Sequence, residues 1–296
     1  MLSMSIVQKF LNYLSLEKRY SKHTIRSYKT DLVLFQQHLY SSFQVTPQKA
    51  TNKMIRTWLV SELEKGNTAR SVNRKISTLK SFYKYATKNK IIQKNPTLVL
   101  STSKASKKIP SFLSQDEINQ LLDNYKFKAD YQGERDRLMV ELFYSTGIRL
   151  SELINIRLND IDIPNGQLKV VGKRNKERII PLTNELVNTI PMFIKTRKKI
   201  DVNDTPYLLL TKKGLILNPS MVYRTINKLL SSVSSLKNTS PHVLRHTFAT
   251  HMLNSGADLN VIKELLGHAS LSATEVYTHN SIEKLKNIYN NAHPRA

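Results

Sequence analysis

The stretch Ser240–Tyr277 sets His242 and Arg245 three residues apart, places His268 directly after Gly267, and brings Tyr277 nine residues later. These side chains supply a permanent cation, two imidazoles and a phenol, a set able to grip a phosphate and attack it. Ser240-Pro241 reads as a helix start, which puts His242 and Arg245 on one face at i and i+3. Leu244, Phe248 and Met252 follow at i, i+4 and i+8 and form the buried side. Gly256 ends that helix, and Asp258 caps a next one whose Val261, Ile262, Leu265 and Leu266 are core. Gly267 stops it, leaving His268 just past a helix C-terminus. Alone, a His is usually structural and a Tyr usually core; the ordered combination carries the reading.

His242 and His246 also stand at i, i+4, the spacing of zinc-binding helices. The H-E-x-x-H glutamate is missing, with Val243 in its place, and Arg245 would set a fixed positive charge beside the metal. No metal site is therefore expected.

What must position these groups is legible upstream. Ile6, Val7, Phe10, Leu11 and Leu14 recur at helical spacing. Ser21 suits the N-cap of a second helix carrying Ile25, Tyr28, Leu32 and Phe35. Ile55, Trp58, Leu59 and Leu63 mark a third, stopped near Gly66. Thr68 suits the cap of a fourth with Val72, Ile76, Leu79, Phe82 and Tyr83, which Asn95-Pro96 ends. The polar face of the second helix offers Lys22, His23, Arg26 and Lys29; that of the fourth offers Arg70, Asn73, Arg74, Lys75 and Lys80. Such faces suit phosphates and base edges, although any single Lys also suits a plain solvated surface.

The chain of 296 residues has a formal charge of +24. Residues 1–100 carry 18 Lys and Arg against four Asp and Glu; the rest carry 28 against 18. An excess of this size points to nucleic acid before an anionic membrane. There are no cysteines, which excludes disulfides, zinc ribbons and thiol catalysis and fits a reducing cytoplasm. No apolar run reaches membrane-spanning length, and the N-terminus lacks the apolar core of a signal peptide. A cytoplasmic protein with no membrane partner is expected.

Residues 101–111, S-T-S-K-A-S-K-K-I-P-S, are small, polar and basic and read as a linker between a domain at 1–100 and one at 112–296. The second domain opens on the capping box Ser114-x-x-Glu117. A helix runs from about Gly133 to Tyr144. Residues 161–181 alternate around P-N-G and G-K-R-N-K turns and predict a small antiparallel three-stranded sheet. Thr183 starts a further helix with a kink at Pro191, Tyr207–Leu210 suits a short strand, and Asn218-Pro219 is another helix start. The fold class expected is mainly α with a small antiparallel β-sheet, in two domains.

Arg149 in T-G-I-R-L-S-E-L, Lys173 in V-V-G-K-R-N-K-E-R, His242-x-x-Arg245, L-G-H ending at His268, and Tyr277 together resemble the tyrosine recombinases, most of all the Xer-type site-specific recombinases. Nearly the whole chain is covered, since the basic helical first domain is similar to the family's core-binding domain. The turn G-K-R-N-K lacks the second Gly of the family pattern. The resemblance implies a two-domain clamp on DNA, with a core-binding domain and a catalytic domain that ends in an interaction tail. It implies that Arg149 and Arg245 fork onto the nonbridging oxygens of a phosphodiester and that Tyr277 attacks phosphorus to form a 3′-phosphotyrosine. Lys173 would protonate the leaving 5′-hydroxyl, His242 would assist proton transfer at the phenol, and His268 would hydrogen-bond the phosphate. Glu152 would orient the site, although Arg149 and Glu152 also suit a plain helix salt bridge. Neighbouring Arg174 and Lys176 leave open which basic residue of the turn protonates.

No cofactor is implied: neither a divalent metal nor ATP is needed, because the phosphotyrosine stores the broken bond's energy. The implied partners are double-stranded DNA bearing a specific site and a homo- or hetero-tetramer on two duplexes, with a related recombinase and a DNA translocase among possible helpers. Ile282, Leu285, Ile288 and Tyr289 form an amphipathic tail that in the family docks on a neighbouring protomer; the same spacing suits a helix packed on its own domain. The chain starts almost directly at the core-binding domain, which favours resolution of chromosome or plasmid dimers at cell division over a mobile-element integrase, transposase or invertase. A DNA-binding protein without catalysis, and a type IB topoisomerase-like relaxing enzyme, are the remaining alternatives.

Overall fold

The computed structural model describes residues 5–102, 111–172, 175–200, 203–267 and 279–296. Lys173, His268 and Tyr277 lie outside the described residues, as does most of the linker segment. The chain divides into two compact units, Met1–Lys108 and Ile109–Ala296.

The first unit packs α1 (Ile6–Leu16), α2 (Lys22–Phe43), α3 (Asn52–Glu64) and α4 (Ala69–Lys88). Ser5, Ser21, Thr51 and Thr68 each accept a hydrogen bond from a first-turn backbone N–H, fixing all four starts. Phe10, Phe35, Trp58, Leu79 and Phe82 fill the core, with Phe35 against Trp58 at 5.0 Å between ring centroids. Two details differ from expectation. Leu63 is exposed. The fourth helix stops at Lys88, before the Asn95-Pro96 break, because Lys90 turns to φ 55° and Ile91 N–H closes back on the Ala86 carbonyl.

In the second unit the capping box at Ser114 and Glu117 forms as expected and opens α5 (Gln115–Asn119). Helix α6 (Tyr131–Thr146) is the central element: Leu138, Met139, Val140, Leu142, Phe143 and Tyr144 are all fully buried. A helix apolar on every side must be surrounded, and α8 (Asn184–Lys198), α9 (Pro219–Ser231) and α10 (Pro241–Asn254) pack on it. Strands β1 (Ile161–Asp162), β2 (Gln167–Val171) and β3 (Glu177–Pro181) form an antiparallel sheet in the order β1-β2-β3, with Val170 opposite Arg178. The stretch Tyr207–Leu210 makes only single bridges, Arg157 to Tyr207 and Leu210 to Ile216, rather than a strand. Short α7 (Leu150–Ile154), α11 (Leu259–Leu266) and α12 (His279–Ala292) complete the unit. Helix α12 lies on its own unit, with Leu285, Tyr289 and Ala292 in the core. Arg295 pairs with both Asp123 and Glu185 at 2.8 Å. Among the described residues no helix is long and apolar enough to cross a membrane.

Candidate active site

Helix α10 begins at Pro241 as its first helical residue, although the Ser240 side chain makes no cap bond. Leu244, Phe248 and Met252 are fully buried, as their spacing requires. This anchoring turns the Arg245 side chain inward, where it is 9% exposed, while His242 stays at the surface. Arg245 donates from Nη1 to the Gly147 carbonyl at 2.6 Å and from Nη2 to the Leu266 carbonyl at 2.7 Å. Burial, with Arg149 as the next contributor, pushes its pKa down to about 10, so it remains a cation at neutral pH.

Arg149 stands at the N-cap of α7. Its Nη1 donates to Glu152 Oε1 at 2.8 Å, and its backbone N–H to Glu152 Oε2 at 2.8 Å. Its Nη2 reaches the Gly267 carbonyl at 3.2 Å. Two guanidiniums from distant segments are thus hung on consecutive carbonyls, Leu266 and Gly267, immediately before His268. The backbone that makes this possible is glycine-dependent. Gly147 closes α6 at φ +58°, and a Cβ there would stand 2.5 Å from Phe248 Cδ1. Gly267 closes α11 at φ +66°, with its would-be Cβ at 3.2 Å from Arg178 Cδ.

Sequence reasoning missed Arg178. It is 4% exposed and makes a two-pronged pair with Glu152, Nη1 to Oε1 at 3.0 Å and Nη2 to Oε2 at 2.8 Å, while Nε donates to the Leu265 carbonyl at 2.7 Å. A signal existed: on β3, Arg178 shares the inward phase with Ile180, so its charge needed a buried partner. Burial raises the Glu152 carboxyl, but Arg178 and Arg149 outweigh it and hold it below its ordinary value. The Glu152–Arg149 salt bridge is therefore real and is half of a larger arrangement. The hairpin that carries Lys173 meets the same carboxylate. Gly172 N–H closes the turn on the Lys176 carbonyl at 2.7 Å, and a Cβ on Gly172 would lie 3.3 Å from Glu152 Oε1. Arg149, Gly172 and Arg178 therefore meet at the Glu152 carboxylate, and Arg178, Arg245 and Arg149 each hold one of the successive carbonyls of Leu265, Leu266 and Gly267.

On the first unit, Lys22, His23, Arg26 and Lys29 are exposed on α2, and Arg70 and Lys80 on α4; Asn73 is half-buried. Arg74 is partly exposed and bonded to Ser27 and to the buried carboxylate of Asp31. Lys75 is a correction. It is 4% exposed, pairs with Glu62 at 3.1 Å and Asp31 at 3.6 Å, and sits over the Trp58 ring. It is an internal counter-ion, since two buried carboxylates on α2 and α3 need its charge, and it is not available to DNA.

Residues 111–284 match the phage integrase family, and residues 7–90 match the phage integrase N-terminal SAM-like domain. The tyrosine recombinase XerC of Thermodesulfovibrio yellowstonii is 38% identical over 97% of this chain and 96% of its own length. The chain belongs to the phage integrase family of tyrosine recombinases. It is a site-specific recombinase, an enzyme that transfers DNA strands. The tyrosine recombinase XerD of Staphylococcus haemolyticus is 35% identical over 99% of both chains. Among solved structures, a XerH site-specific recombinase bound to palindromic difH substrate in a post-cleavage complex shares the fold. It has a TM-score of 0.72 at 20% identity and covers 99% of this chain and 82% of that one.

Proposed function

We propose that Arg149, Lys173, His242, Arg245 and His268 serve Tyr277 in a metal- and ATP-independent strand transfer. The observation that carries this is the pair of guanidiniums held on the Leu266 and Gly267 carbonyls. Each spends two N–H groups on its anchors and keeps the others for the nonbridging oxygens of a scissile phosphate. The phosphorane-like transition state gathers negative charge on those oxygens, so a preset double cation lowers the barrier. The Tyr277 oxygen attacks phosphorus with help from His242, the bond to O5′ breaks, and Lys173 gives the leaving oxygen its proton. His268 hydrogen-bonds the phosphate. Glu152 orients Arg149 and does not react. Attack of another strand's 5′-hydroxyl on the phosphotyrosine reverses the chemistry and frees Tyr277.

The basic faces of α2 and α4, through Lys22, His23, Arg26, Lys29, Arg70, Asn73, Arg74 and Lys80, hold the duplex, with residues 101–111 as the linker between domains. Four protomers on two duplexes resolve chromosome or plasmid dimers at cell division in the cytoplasm; α12, seated here on its own unit, acts as the interaction tail only by leaving that seat for a neighbour's. A related recombinase and a DNA translocase are candidate partners, and the likeness to XerC and XerD relatives supports this role. The test is covalent trapping. Nicked duplexes incubated with the chain and quenched in detergent yield a protein–DNA adduct, absent with Tyr277→Phe. An adduct that survives Tyr277→Phe removes Tyr277 as nucleophile. Sequencing the trapped DNA gives the site, and directly repeated copies of it on a plasmid test resolution.

A further inference from the structure

We infer that Arg178 is a positioning residue for strand transfer, acting through Glu152 on Arg149 and through Leu265 and Gly267 on the end of α11. This rests on the strand-transfer reading proposed above. Arg178 belongs to β3, the return strand of the hairpin that carries Lys173. Its two terminal nitrogens take both oxygens of Glu152, and its Nε takes the Leu265 carbonyl, so one planar group ties the hairpin to α7 and to α11. The three bonds leave little rotational freedom, because a guanidinium is rigid and its donors are fixed in direction. Glu152 passes this order to Arg149 through a side-chain bond and a backbone bond. The close approach of Gly267 to the Arg178 side chain brings in the last residue before His268. With Arg178 buried and Arg149 33% exposed, the outer cation is the one within reach of substrate and the inner one is its support.

The experiment compares Arg178→Met, Arg149→Ala and the double variant in the trapping assay at saturating DNA, with an ordinary and a neutral methylphosphonate scissile linkage. Arg178→Met is expected to slow adduct formation about 100-fold, while DNA affinity changes less than about twofold. In the Arg149→Ala background it is expected to add less than about threefold, since both substitutions remove one function. On the methylphosphonate the loss shrinks, because a neutral linkage no longer calls for a fixed guanidinium. Arg178→Lys keeps the charge without the fork; it is expected to show the same pattern at smaller size and carries the test if the Met variant folds poorly. Full additivity with Arg149→Ala, or an equal loss on both linkages, overturns the positioning role. Absence of a Tyr277-dependent adduct from the unsubstituted chain overturns the strand-transfer reading instead.

Discussion

Residues of one type do opposite work in this protein, and burial decides which. Lys29 is exposed on α2, whereas Lys75 on α4 is enclosed with Asp31 and Glu62. A surface lysine facing a duplex releases a counterion on binding; a buried one supplies the enclosed cation that buried carboxylates share. Lys75→Met is therefore expected to destabilise the first unit by about 1–3 kcal/mol, because Asp31 is left with Arg74 and Glu62 with Lys65 as the remaining cation, and both of those are far more exposed than Lys75. Lys29→Ala should leave stability nearly unchanged and lower the slope of log affinity against log salt by about one. Denaturant melts and salt-titrated DNA binding on both variants check this; a salt slope that falls with Lys75→Met at unchanged stability would contradict the assignment. The sequence placed Lys75 on the helix's polar side because spacing counts charges without seeing the Asp31 and Glu62 opposite, 44 and 13 residues away.

At the scale of elements, most of what spacing could specify is present. The helix starts at Ser21, Thr68, Ser114 and Thr183 are local chemistry, and each cap forms where its residue stands. The hairpin at 161–181 was legible from alternation, as was the buried stripe of α10. The pairing of Arg149 with Arg245 was implied by the family resemblance and not by spacing, and the place of Arg178 beside them was implied by neither, because it depends on carbonyl directions near two left-handed glycines. Helix α12 shows the same limit: its apolar spacing suits a neighbour's surface or its own, and here it is seated on its own unit. That seat includes His293, enclosed by Tyr144, Phe248 and Tyr289, with the titratable His251 and the cation Arg295 as further neighbours. Burial pushes the His293 pKa from 6.5 to about 4. Above the ordinary value both states are neutral and the group adds no pH dependence. As pH falls from there toward 4 the unfolded chain takes up a proton that the folded chain refuses, so stability is lost by up to roughly 3 kcal/mol. Unfolding free energies at pH 7 and pH 5 are expected to differ less in His293→Phe than in the unsubstituted chain; an unchanged gap would remove His293 as the cause.

At the scale of the molecule, the two units have hydrophobic cores with no residue in common. Each core can therefore melt on its own terms. Scanning calorimetry is expected to resolve two transitions, of which Lys75→Met lowers only the one belonging to the first unit, Met1–Lys108. A single transition shifted as a whole would mean that the units unfold together. The basic excess concentrates in the first unit, while the second holds the cations in a framework of carbonyls and one carboxylate. On the proposed reading, grip and chemistry fall to different compact units of one chain.

The anchoring of Arg245 on main-chain carbonyls has a consequence for how errors in the gene would fall. Every amino acid supplies a carbonyl, so no missense change at Leu266 can delete the acceptor; it can only shift it. Glu152 has no such insurance, since a single nucleotide change that yields Lys, Gly, Val or Ala removes the acceptor shared by Arg149 and Arg178. In a saturation screen, loss of recombination should crowd at Glu152 and at the two left-handed glycines, while Leu266 should accept other apolar side chains.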